Sequence, residues 1–384
     1  MVNIIFSEEG YSSSHHDDSE VFSDISSERS VTSRSVSSGD SLGDDCIFNG
    51  AYVIGDVHFR SKHLPEALEF IDKCVINAKG LFPSMIVLLG DILDTHEVAR
   101  NVPYKLACEL IEKLSAIAPV YVLIGNHDYI NNSQFCSDNH FFNPLKKWKN
   151  VTIVDKPMVA VVEGKKFAFS PYVVNGRFIE ALTTHLKNEW RECCVIFAHQ
   201  EIHGVSLREG VTSVHGDRWR HDLPPLISGH IHDPQTVGTN VHYVGSAMQI
   251  HFDETPDKMN WLINFDDSPE KNLVIEKFNL GLKNKKEVEL DILEVNSFDF
   301  ELIKKYNIKL TLKGTSEQFQ HFKKSKQYSQ LVKQGVKMCF NPVVTARETK
   351  FTSRVDLSFD TVFRDLVKAK NDEVLYKTYE MIEI

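Results

Sequence analysis

The sequence lacks three features that are typical of secreted or membrane proteins. Its seven cysteines are odd in number and show no framework spacing, so a disulfide-stapled secreted scaffold is excluded and free thiols in a reducing compartment are expected. No apolar run reaches the ~18–20 residues of a membrane-spanning helix. The N-terminus has no basic region ahead of an apolar stretch, so it does not resemble a secretory signal. We therefore expect an intracellular protein of the nucleus or cytoplasm, without a membrane partner.

Positive charge is also scarce, because 53 acidic residues outnumber 43 basic residues and give a net charge of −10. The balance varies along the chain: residues 1–48 sum to −8, residues 49–282 to −6, residues 283–355 to +7 and residues 356–384 to −3. A protein that binds nucleic acid needs a basic face to displace the counterions of the phosphates. Only residues 283–355 have that sign, although a lysine-rich solvated surface would explain the same composition.

The distribution of serine and of apolar residues divides the 384-residue chain into four segments. Residues 1–48 contain fourteen serines and almost no periodic apolar pattern, which predicts a disordered tail. Residues 49–282 alternate short apolar runs with helical periodicity, which predicts a layered α/β domain. Residues 283–355 are typical of a small α+β domain that opens with a strand over 288–295, and residues 356–384 predict a closing helical segment.

Five polar clusters follow apolar, strand-like runs between residues 52 and 235. Glycine precedes four of the clusters, where it allows a tight turn and the close approach of a ligand. Mixed Asp, Asn and His side chains suit manganese, iron or zinc. Two adjacent ions also need one carboxylate that is shared by two ligand sets. The clusters are, in order, Gly55-Asp56-Val57-His58, Gly90-Asp91-Ile92-Leu93-Asp94, Gly125-Asn126-His127-Asp128, Ala198-His199 and Gly229-His230-Ile231-His232.

In this order the clusters resemble those of the calcineurin-like metallophosphoesterases, whose pattern is D-x-H, GD-x-x-D, GNH-D/E, H and GH-x-H. Any one motif alone is a weak indication, and the order of all five carries the resemblance. It implies a β-sandwich flanked by helices and two divalent ions, with manganese the expected metal. It also implies that His127 is catalytic beside the scissile phosphate, that Asp128 orients it, and that Asp94 supports the site without binding metal. One ion would take Asp56, His58, Asp91 and His232, and the other would take Asp91, Asn126, His199 and His230.

Further features favour the SbcD-type and meiotic recombination nucleases, including their phage relatives. Asp94 is followed by Thr-His-Glu, where the serine/threonine protein phosphatases carry Arg-Gly. The stretch AHQEIHG is similar to the AH-x-x-x-x-G of those nucleases, and VHYVGSAMQIHFDE resembles their strand, Gly-Ser and short loop. The strand that follows departs from their pattern, because Asn260 stands where glycine is usual. The resemblance implies a metal-dependent DNA exonuclease or endonuclease of repair or recombination.

The same resemblance implies contacts with DNA. The basic segment 283–355 occupies the place of a DNA-binding capping domain in those nucleases. Three of its lysines are predicted on one short helical stretch, where they would follow the phosphates of the duplex. Two histidines that follow metal motifs are predicted to face the substrate. The candidate substrate-contacting residues are His96, His203, Lys323, Lys324 and Lys326.

Partners and alternative functions remain open at this point. The related nucleases often dock an SMC-like ABC ATPase of the SbcC type through a longer segment, where this chain offers only the short segment 356–384. Docking is therefore either compact, as in the phage relatives, or lost; a homodimer is a further arrangement. A phosphodiesterase or phosphatase for a small nucleotide would use the same metals, and activity on DNA would separate the two. A metal-free scaffold of the same fold is disfavoured, because none of the seven ligand positions is substituted.

Overall fold

The computed structural model of the protein describes residues 48–265 and 273–343. The tail predicted over 1–48 therefore lies outside the described residues except for Phe48, and the helical segment predicted over 356–384 lies wholly outside them. Within the two described ranges, no helix is both long enough and apolar enough to cross a membrane. Strands and α-helices alternate up to Leu123, as the sequence predicts, whereas the rest of the first range holds one further α-helix among its strands.

The bounds of the elements follow the apolar runs of the sequence. The strands are β1 (Phe48–Ile54), β2 (Pro83–Leu88), β3 (Val120–Leu123), β4 (Val151–Val154), β5 (Met158–Val162), β6 (Lys165–Phe169), β7 (Val195–His199), β8 (Ser206–Arg208), β9 (Val211–Thr212), β10 (Leu226–Gly229), β11 (Gln235–Val237), β12 (Val241–Tyr243), β13 (Asn260–Asn264), β14 (Val274–Phe278), β15 (Asn284–Asp291), β16 (Tyr306–Gly314) and β17 (Lys337–Pro342). The α-helices are α1 (Leu64–Leu81), α2 (Asn101–Ser115), α3 (Phe178–Leu186), α4 (Glu301–Lys305), α5 (Ser316–Lys323) and α6 (Lys326–Lys333).

The first sheet has six strands in the order β14-β13-β1-β2-β3-β4. Strands β1 to β4 run parallel, and β13 and β14 add antiparallel strands beside β1. Both faces of its parallel strands are buried, which explains why those strands are almost continuously apolar. Tyr52 and Ile54 of β1 pack in one core with helices α1 and α2, while Val53 packs in a second core on the opposite face.

The second sheet also has six strands, in the order β11-β12-β10-β7-β6-β5. Its inner face contributes Phe167 and Phe197 to the same core as Val53, so the two sheets pack face to face. Its outer face contributes Ile196 to a third core, which it shares with Phe178 of α3. The layers are therefore helices, sheet, sheet and helix. The predicted α/β fold, a β-sandwich flanked by helices, is confirmed.

The loops after the parallel strands meet at one edge of this sandwich. The backbone N–H of His58, after β1, donates to the carbonyl oxygen of Asp91, after β2, at 2.9 Å. The backbone N–H of His230, after β10, donates to the carboxylate of Asp56 at 3.0 Å. Because these bonds join loops from both sheets, side chains that lie far apart in the sequence are brought together there.

Strands β15, β16 and β17 form a separate, parallel three-stranded sheet. Together with α5 and α6 it encloses a core of its own, in which Leu310 and Leu331 are fully buried. Lys285 joins this small sheet to the sandwich: its Nζ lies 2.5 Å from the carboxylate of Glu66 and donates to the carbonyl oxygen of Gln249 at 2.7 Å. We call residues 284–342 the small sheet unit.

The first strand of the small sheet unit ends earlier than predicted. The strand expected over 288–295 ends at Asp291, and Ile292–Ser297 form a 3₁₀ helix instead. The side chain of Asp291 accepts a hydrogen bond from the N–H of Leu293 at 2.8 Å, which caps the new helix. Aspartate is favoured at the N-cap of a helix, since its carboxylate accepts a hydrogen bond from an N–H that the helix leaves without a partner. An acidic residue inside the apolar run was the signal of this break.

The lysine-rich helical stretch is also divided in two. Helix α5 ends at Lys323, Lys324 follows it, and Lys326 begins α6. The Oγ of Ser325 accepts a hydrogen bond from the N–H of Tyr328 at 3.1 Å and so caps α6. Serine is among the strongest residues for capping the start of a helix. The three lysines therefore do not lie on one continuous helix, and the prediction that they do is wrong.

Candidate metal centre

The seven predicted ligands lie together at the edge of the sandwich where the loops meet. Five of them are no more than 6% exposed, and the two others are half-buried. Burying charged groups costs free energy unless each has partners, so such a cluster indicates a functional role. Asp56 and His58 follow β1, Asp91 follows β2, Asn126 follows β3, His199 ends β7, and His230 and His232 follow β10.

The first ligand group consists of Asp56, His58 and His232, whose ligand atoms lie within 4.8 Å of one another. The Nε2 atoms of His58 and His232 are 3.1 Å apart. The same Nε2 of His232 lies 3.8 Å from the carboxylate of Asp56. At 3.1 Å, one Nε2–H can donate a hydrogen bond to the other Nε2 when both rings are neutral. A metal ion at this place could instead be bound by the Nε2 lone pairs of both histidines and by the carboxylate of Asp56.

The second ligand group consists of Asn126, His199 and His230. The Oδ1 atom of Asn126 lies 3.0 Å from Nε2 of His199 and 2.9 Å from Nδ1 of His230. An amide oxygen and two imidazole nitrogens thus converge on one point. Such donors, without any cysteine, fit a divalent ion of the manganese, iron or zinc kind.

Asp91 lies between the two ligand groups. Its Oδ2 atom is 3.5 Å from Nε2 of His58 in the first group and 3.4 Å from Nε2 of His199 in the second. The ligand atoms of Asp91, His199 and His230 also lie within 4.8 Å of one another. This is the position that a carboxylate shared by two ions must take.

The electrostatics of the centre favour the binding of cations. Burial raises the pKa of Asp91, but the charges of His199 and His58 outweigh it and hold that pKa well below its ordinary range. Burial lowers the pKa of His199, but Asp91 and Asp56 raise it to about 9. Burial and the charge of His199 lower the pKa of His230 to about 3. The ionised carboxylate of Asp91 therefore faces the ligand space, and an ion that binds His199 must displace its proton.

Three predicted ligands adopt an unusual backbone conformation. The φ angle is 50° at His58, 48° at Asp91 and 79° at His230. Residues other than glycine rarely adopt positive φ angles. Such strain persists only where the surroundings over-determine it, and it concentrates at functional sites. The packing is equally tight at Gly125, where a Cβ atom would overlap the carboxylate of Asp91. Only glycine before Asn126 leaves room for that carboxylate.

His127 is held beside Asp91 by three contacts. Its backbone N–H donates to Oδ1 of Asp91 at 2.8 Å, and its ring Nδ1 lies 2.9 Å from the carbonyl oxygen of Asp94. The ring of His96 stacks on it, with the centroids 4.5 Å apart. Because a carbonyl oxygen only accepts, Nδ1 carries a proton and Nε2 is left for exchange with a ligand. Burial lowers the pKa of His127, and the charge of Asp91 opposes that effect.

Asp128 holds the backbone of the centre and not the ring of His127. Its carboxylate accepts hydrogen bonds from the N–H of Leu93 and from the N–H of Gly125, both at 3.0 Å. Burial raises the pKa of Asp128 to about 7. The expected orienting contact with His127 is replaced by the carbonyl oxygen of Asp94, because the carboxylate turns back into its own loop. Asp128 thus ties the loop after β2 to the loop after β3.

Asp94 and Glu254 support the two histidines of the first ligand group. The Oδ1 atom of Asp94 lies 3.4 Å from Nδ1 of His58, in keeping with the supporting role expected for it. Nδ1 of His232 donates to Oε1 of Glu254 at 2.8 Å, a partner that sequence reasoning missed. A carboxylate on the far nitrogen of a metal-binding histidine fixes the tautomer and the orientation of the ring.

Glu254 is itself fixed by two neighbours. Its Oε2 atom accepts from the N–H of Ile250 at 2.8 Å and lies 3.3 Å from Nζ of Lys258. Burial raises the pKa of Glu254, but the bond to His232 and the charge of Lys258 lower it to about 2. No motif spacing relates this glutamate to GH-x-H. Its only signal was an acid in the segment that resembles the SbcD-type loop.

The remaining predicted substrate contacts lie away from the ligands. Nδ1 of His203 is 3.4 Å from a backbone carbonyl oxygen of its own surface loop. Nζ of Lys323 lies 4.8 Å from the centroid of the Phe319 ring, and Lys324 and Lys326 are exposed. Within the described ranges, no hydrogen bond or ion pair joins these four polar side chains to the metal centre. Of the predicted substrate residues, only His96 reaches it.

Comparison with known proteins supplies an independent assignment. Residues 51–234 match the family described as Calcineurin-like phosphoesterase. "Putative phosphoesterase 244L" of Invertebrate iridescent virus 6 is 36% identical over 275 residues, which are 71% of this chain and 96% of that protein. "Putative phosphoesterase 078R" of Invertebrate iridescent virus 3 is 36% identical over 295 residues, 75% of this chain and 82% of that protein. A solved structure of a protein of unknown function from Aquifex aeolicus is 20% identical with a TM-score of 0.24 over 39% of this chain and 79% of that chain, too slight a likeness for argument.

The family match spans all five polar clusters, from Asp56 to His232. Members of the family use divalent metal ions, and the two ligand groups offer places for them. The names of the viral relatives specify phosphoesterase chemistry and no substrate. The chain therefore belongs to the calcineurin-like phosphoesterases, as a metal-dependent hydrolase of phosphoester bonds.

Proposed function

We propose that this phosphoesterase hydrolyses the phosphodiester backbone of DNA with two divalent ions, of which manganese is the first candidate. The observation that carries two-ion chemistry is the position of Asp91, 3.5 Å from His58 in one ligand group and 3.4 Å from His199 in the other. When bound, two such ions supply a nucleophilic water at neutral pH and neutralise charge on the phosphoryl oxygens. The first ion would be held by Asp56, His58, Asp91 and His232, and the second by Asp91, Asn126, His199 and His230.

His127 is the residue that supplies a proton to the leaving oxygen of the phosphodiester. Its Nδ1 is tied to the carbonyl oxygen of Asp94 at 2.9 Å and its ring stacks on His96, so the imidazole keeps one orientation. Protonated at Nε2, it stabilises the negative charge that develops in the transition state and transfers that proton to the leaving oxygen. The neutral ring then recovers a proton from solvent. Asp128 acts indirectly, because it holds the two loops that carry Asp91 and His127.

Support for a polymeric anion as substrate comes from the small sheet unit. Nζ of Lys337 on β17 lies 5.5 Å from the centroid of the Phe252 ring. Phe252 is two residues before Glu254, which supports His232 in the first ligand group. A lysine-rich element therefore lies against the loop that positions a metal ligand. Contacts between lysines and phosphates hold a duplex regardless of its sequence, as a nuclease of low specificity requires.

The proposal extends to partners and to the cellular role. An SMC-like ABC ATPase of the SbcC type would dock near the segment 283–355, and the pair would act on DNA in repair or recombination inside the cell. These expectations rest on the resemblance alone. Co-purification with such an ATPase after co-expression supports them, whereas a nuclease that remains alone and fully active contradicts the need for a partner.

The test is a cleavage assay with manganese on linear duplex, hairpin and single-stranded DNA, beside the small diester bis(p-nitrophenyl) phosphate. We expect cleavage of at least one DNA substrate, and loss of all cleavage when the protein is stripped of metal. An Asp91→Ala variant serves as the matched inactive control. Hydrolysis of the small diester with no cleavage of any DNA would instead favour the nucleotide phosphodiesterase, which is the alternative function.

A further inference from the structure

A cavity beside the metal centre plays no part in the chemistry above. Its volume is about 320 Å³, near the lower end of the ~300–1,000 Å³ that ligand pockets occupy. Its walls include residues within two positions of two predicted ligands: Phe59 and Arg60 come after His58, and Leu93 comes after Asp91. A backbone bridge joins Phe59 to Leu93, so the cavity continues the same two loops that carry the ligands.

Cationic side chains line this cavity in excess. Its lining includes Arg60, Lys62 and Arg100 but a single acidic residue, Asp94. This carboxylate is already shared, since it lies 3.8 Å from Arg60 and 3.4 Å from Nδ1 of His58. In the part of the chain that the structure describes, neither Lys62 nor Arg100 has a carboxylate within 4.0 Å. In a chain with a net charge of −10, two uncompensated cations in one cavity favour an anionic ligand.

Another wall of the cavity is apolar. It includes Phe59 and Pro103, which are buried, and Val98, which is 57% exposed. The loop that presents Val98 is held in place by Thr95, whose Oγ1 donates to the carbonyl oxygen of Val98 at 2.9 Å. An exposed apolar side chain beside cations offers a surface for the sugar or base of a ligand whose phosphate pairs with those cations.

We propose that this cavity binds the nucleotide next to the scissile phosphate, with its phosphate among Arg60, Lys62 and Arg100 and its sugar or base against Val98. The inference rests on the proposed function, because the scissile phosphate itself lies at the two ligand groups. The contact of Asp94 with His58 joins the cavity to the first of those groups. Neighbouring phosphates of a single strand are therefore held at once, one by the metal centre and one by the cavity.

The experiment uses the manganese-loaded protein and a thymidine dinucleotide with a phosphorothioate linkage, chosen for its slow hydrolysis. The dinucleotide is prepared without a terminal phosphate, with a 5′ phosphate and with a 3′ phosphate, and the three Kd values are measured by titration calorimetry. We expect one of the phosphorylated forms to bind about tenfold more tightly than the form without it, as charge-assisted hydrogen bonds provide. That form also reveals the direction in which the strand lies.

The double variant Lys62→Gln, Arg100→Gln should remove most of this tenfold preference. Its charge-loss control is Lys79→Gln, at an exposed position near the far end of α1, about 22 Å along the helix from Leu64. The control should keep the preference. Equal affinity of the wild-type protein for all three dinucleotides, or a preference that the double variant retains, would overturn the proposal.

The outcome separates this inference from the proposed function. A phosphate preference that the double variant loses, in a protein that cleaves no DNA, supports the cavity and overturns the DNA substrate. Active DNA cleavage with three equal Kd values overturns the cavity and leaves the nuclease standing.

Discussion

The metal centre and the small sheet unit use charge in opposite ways. In the centre, Asp56, Asp91 and His199 are at most 2% exposed, and each faces several ionisable neighbours. In the small sheet unit, Lys309 pairs with Glu287 across adjacent strands at 2.9 Å, with side chains 26% and 45% exposed. A buried charge depends on each of its partners, whereas an exposed pair contributes little. One substitution should therefore disable the centre, while the small sheet unit should respond only to several charge changes together.

The largest effect is expected from Asp91→Ala. This change removes the carboxylate whose Oδ2 atom lies beside Nε2 of both His58 and His199, so turnover should fall to the background rate. Metal content, measured by elemental analysis after gel filtration, should fall below that of the wild-type protein. Turnover that approaches the wild-type rate in this variant would break the comparison, since the most connected charge of the centre would then be dispensable.

A smaller but still large effect is expected from His127→Ala. Loss of a general acid should lower turnover by a factor of ~10²–10⁴ while both ions stay bound. The same elemental analysis checks the second half of this prediction. It is informative because ligand atoms of His127, His58 and Asp91 lie within 4.8 Å of one another. A loss of metal in this variant would make His127 a ligand and not the proton donor.

Glu254→Gln should weaken the centre without abolishing it. The amide keeps the size of the side chain but removes the negative charge that holds Nδ1 of His232, so the Kd for manganese should rise by about 10–100-fold. Glu287→Gln is the matched control, because it makes the same change in an exposed ion pair of the small sheet unit. The control should leave the Kd for manganese unchanged. Equal effects in the two variants would erase the distinction between the regions.

The smallest effect per residue is expected in the small sheet unit. Replacing Lys323, Lys324 and Lys326 together by glutamate should weaken the binding of duplex DNA and flatten its dependence on salt. Each phosphate that the variant no longer neutralises should change the slope of log K against log salt by about 0.9. Fluorescence anisotropy over a series of salt concentrations measures both quantities. An unchanged slope would remove these lysines from the DNA-binding surface, and the nucleotide phosphodiesterase would gain support.

That the predicted ligands lie together at one edge could be expected from the sequence, because the order of motifs along the chain matches the order of strand ends. Asp56 and Asp91 each directly follow a buried parallel strand and a glycine, and parallel strands bring such loops to one edge. The apolar runs likewise predicted a layered α/β domain, since strands buried on both faces leave a continuous signal, whereas the β-sandwich was implied by the resemblance alone. The sequence pattern was therefore sufficient for features that depend only on a single strand and the loop after it.

Roles that depend on long-range contacts could not be predicted in this way. Glu254 reaches His232 across 22 positions, and nothing in the spacing marks it. The orientation of His127 comes from a backbone carbonyl, that of Asp94, and backbone groups carry no residue signature. The break at Ser325 was local, but the lysines and phenylalanines around it suggested one amphipathic helix. The cavity between Arg60 and Arg100 appears only once two distant loops are folded together.

Anomalous X-ray scattering from crystals grown with manganese would show whether one carboxylate joins two metal sites. We expect two anomalous peaks for each chain, with Asp91 in contact with both. Asn126 and His199 should contact one of the ions, and His58 and His232 the other. A single peak, or two peaks of which only one touches Asp91, would show that Asp91 does not join two metal ions.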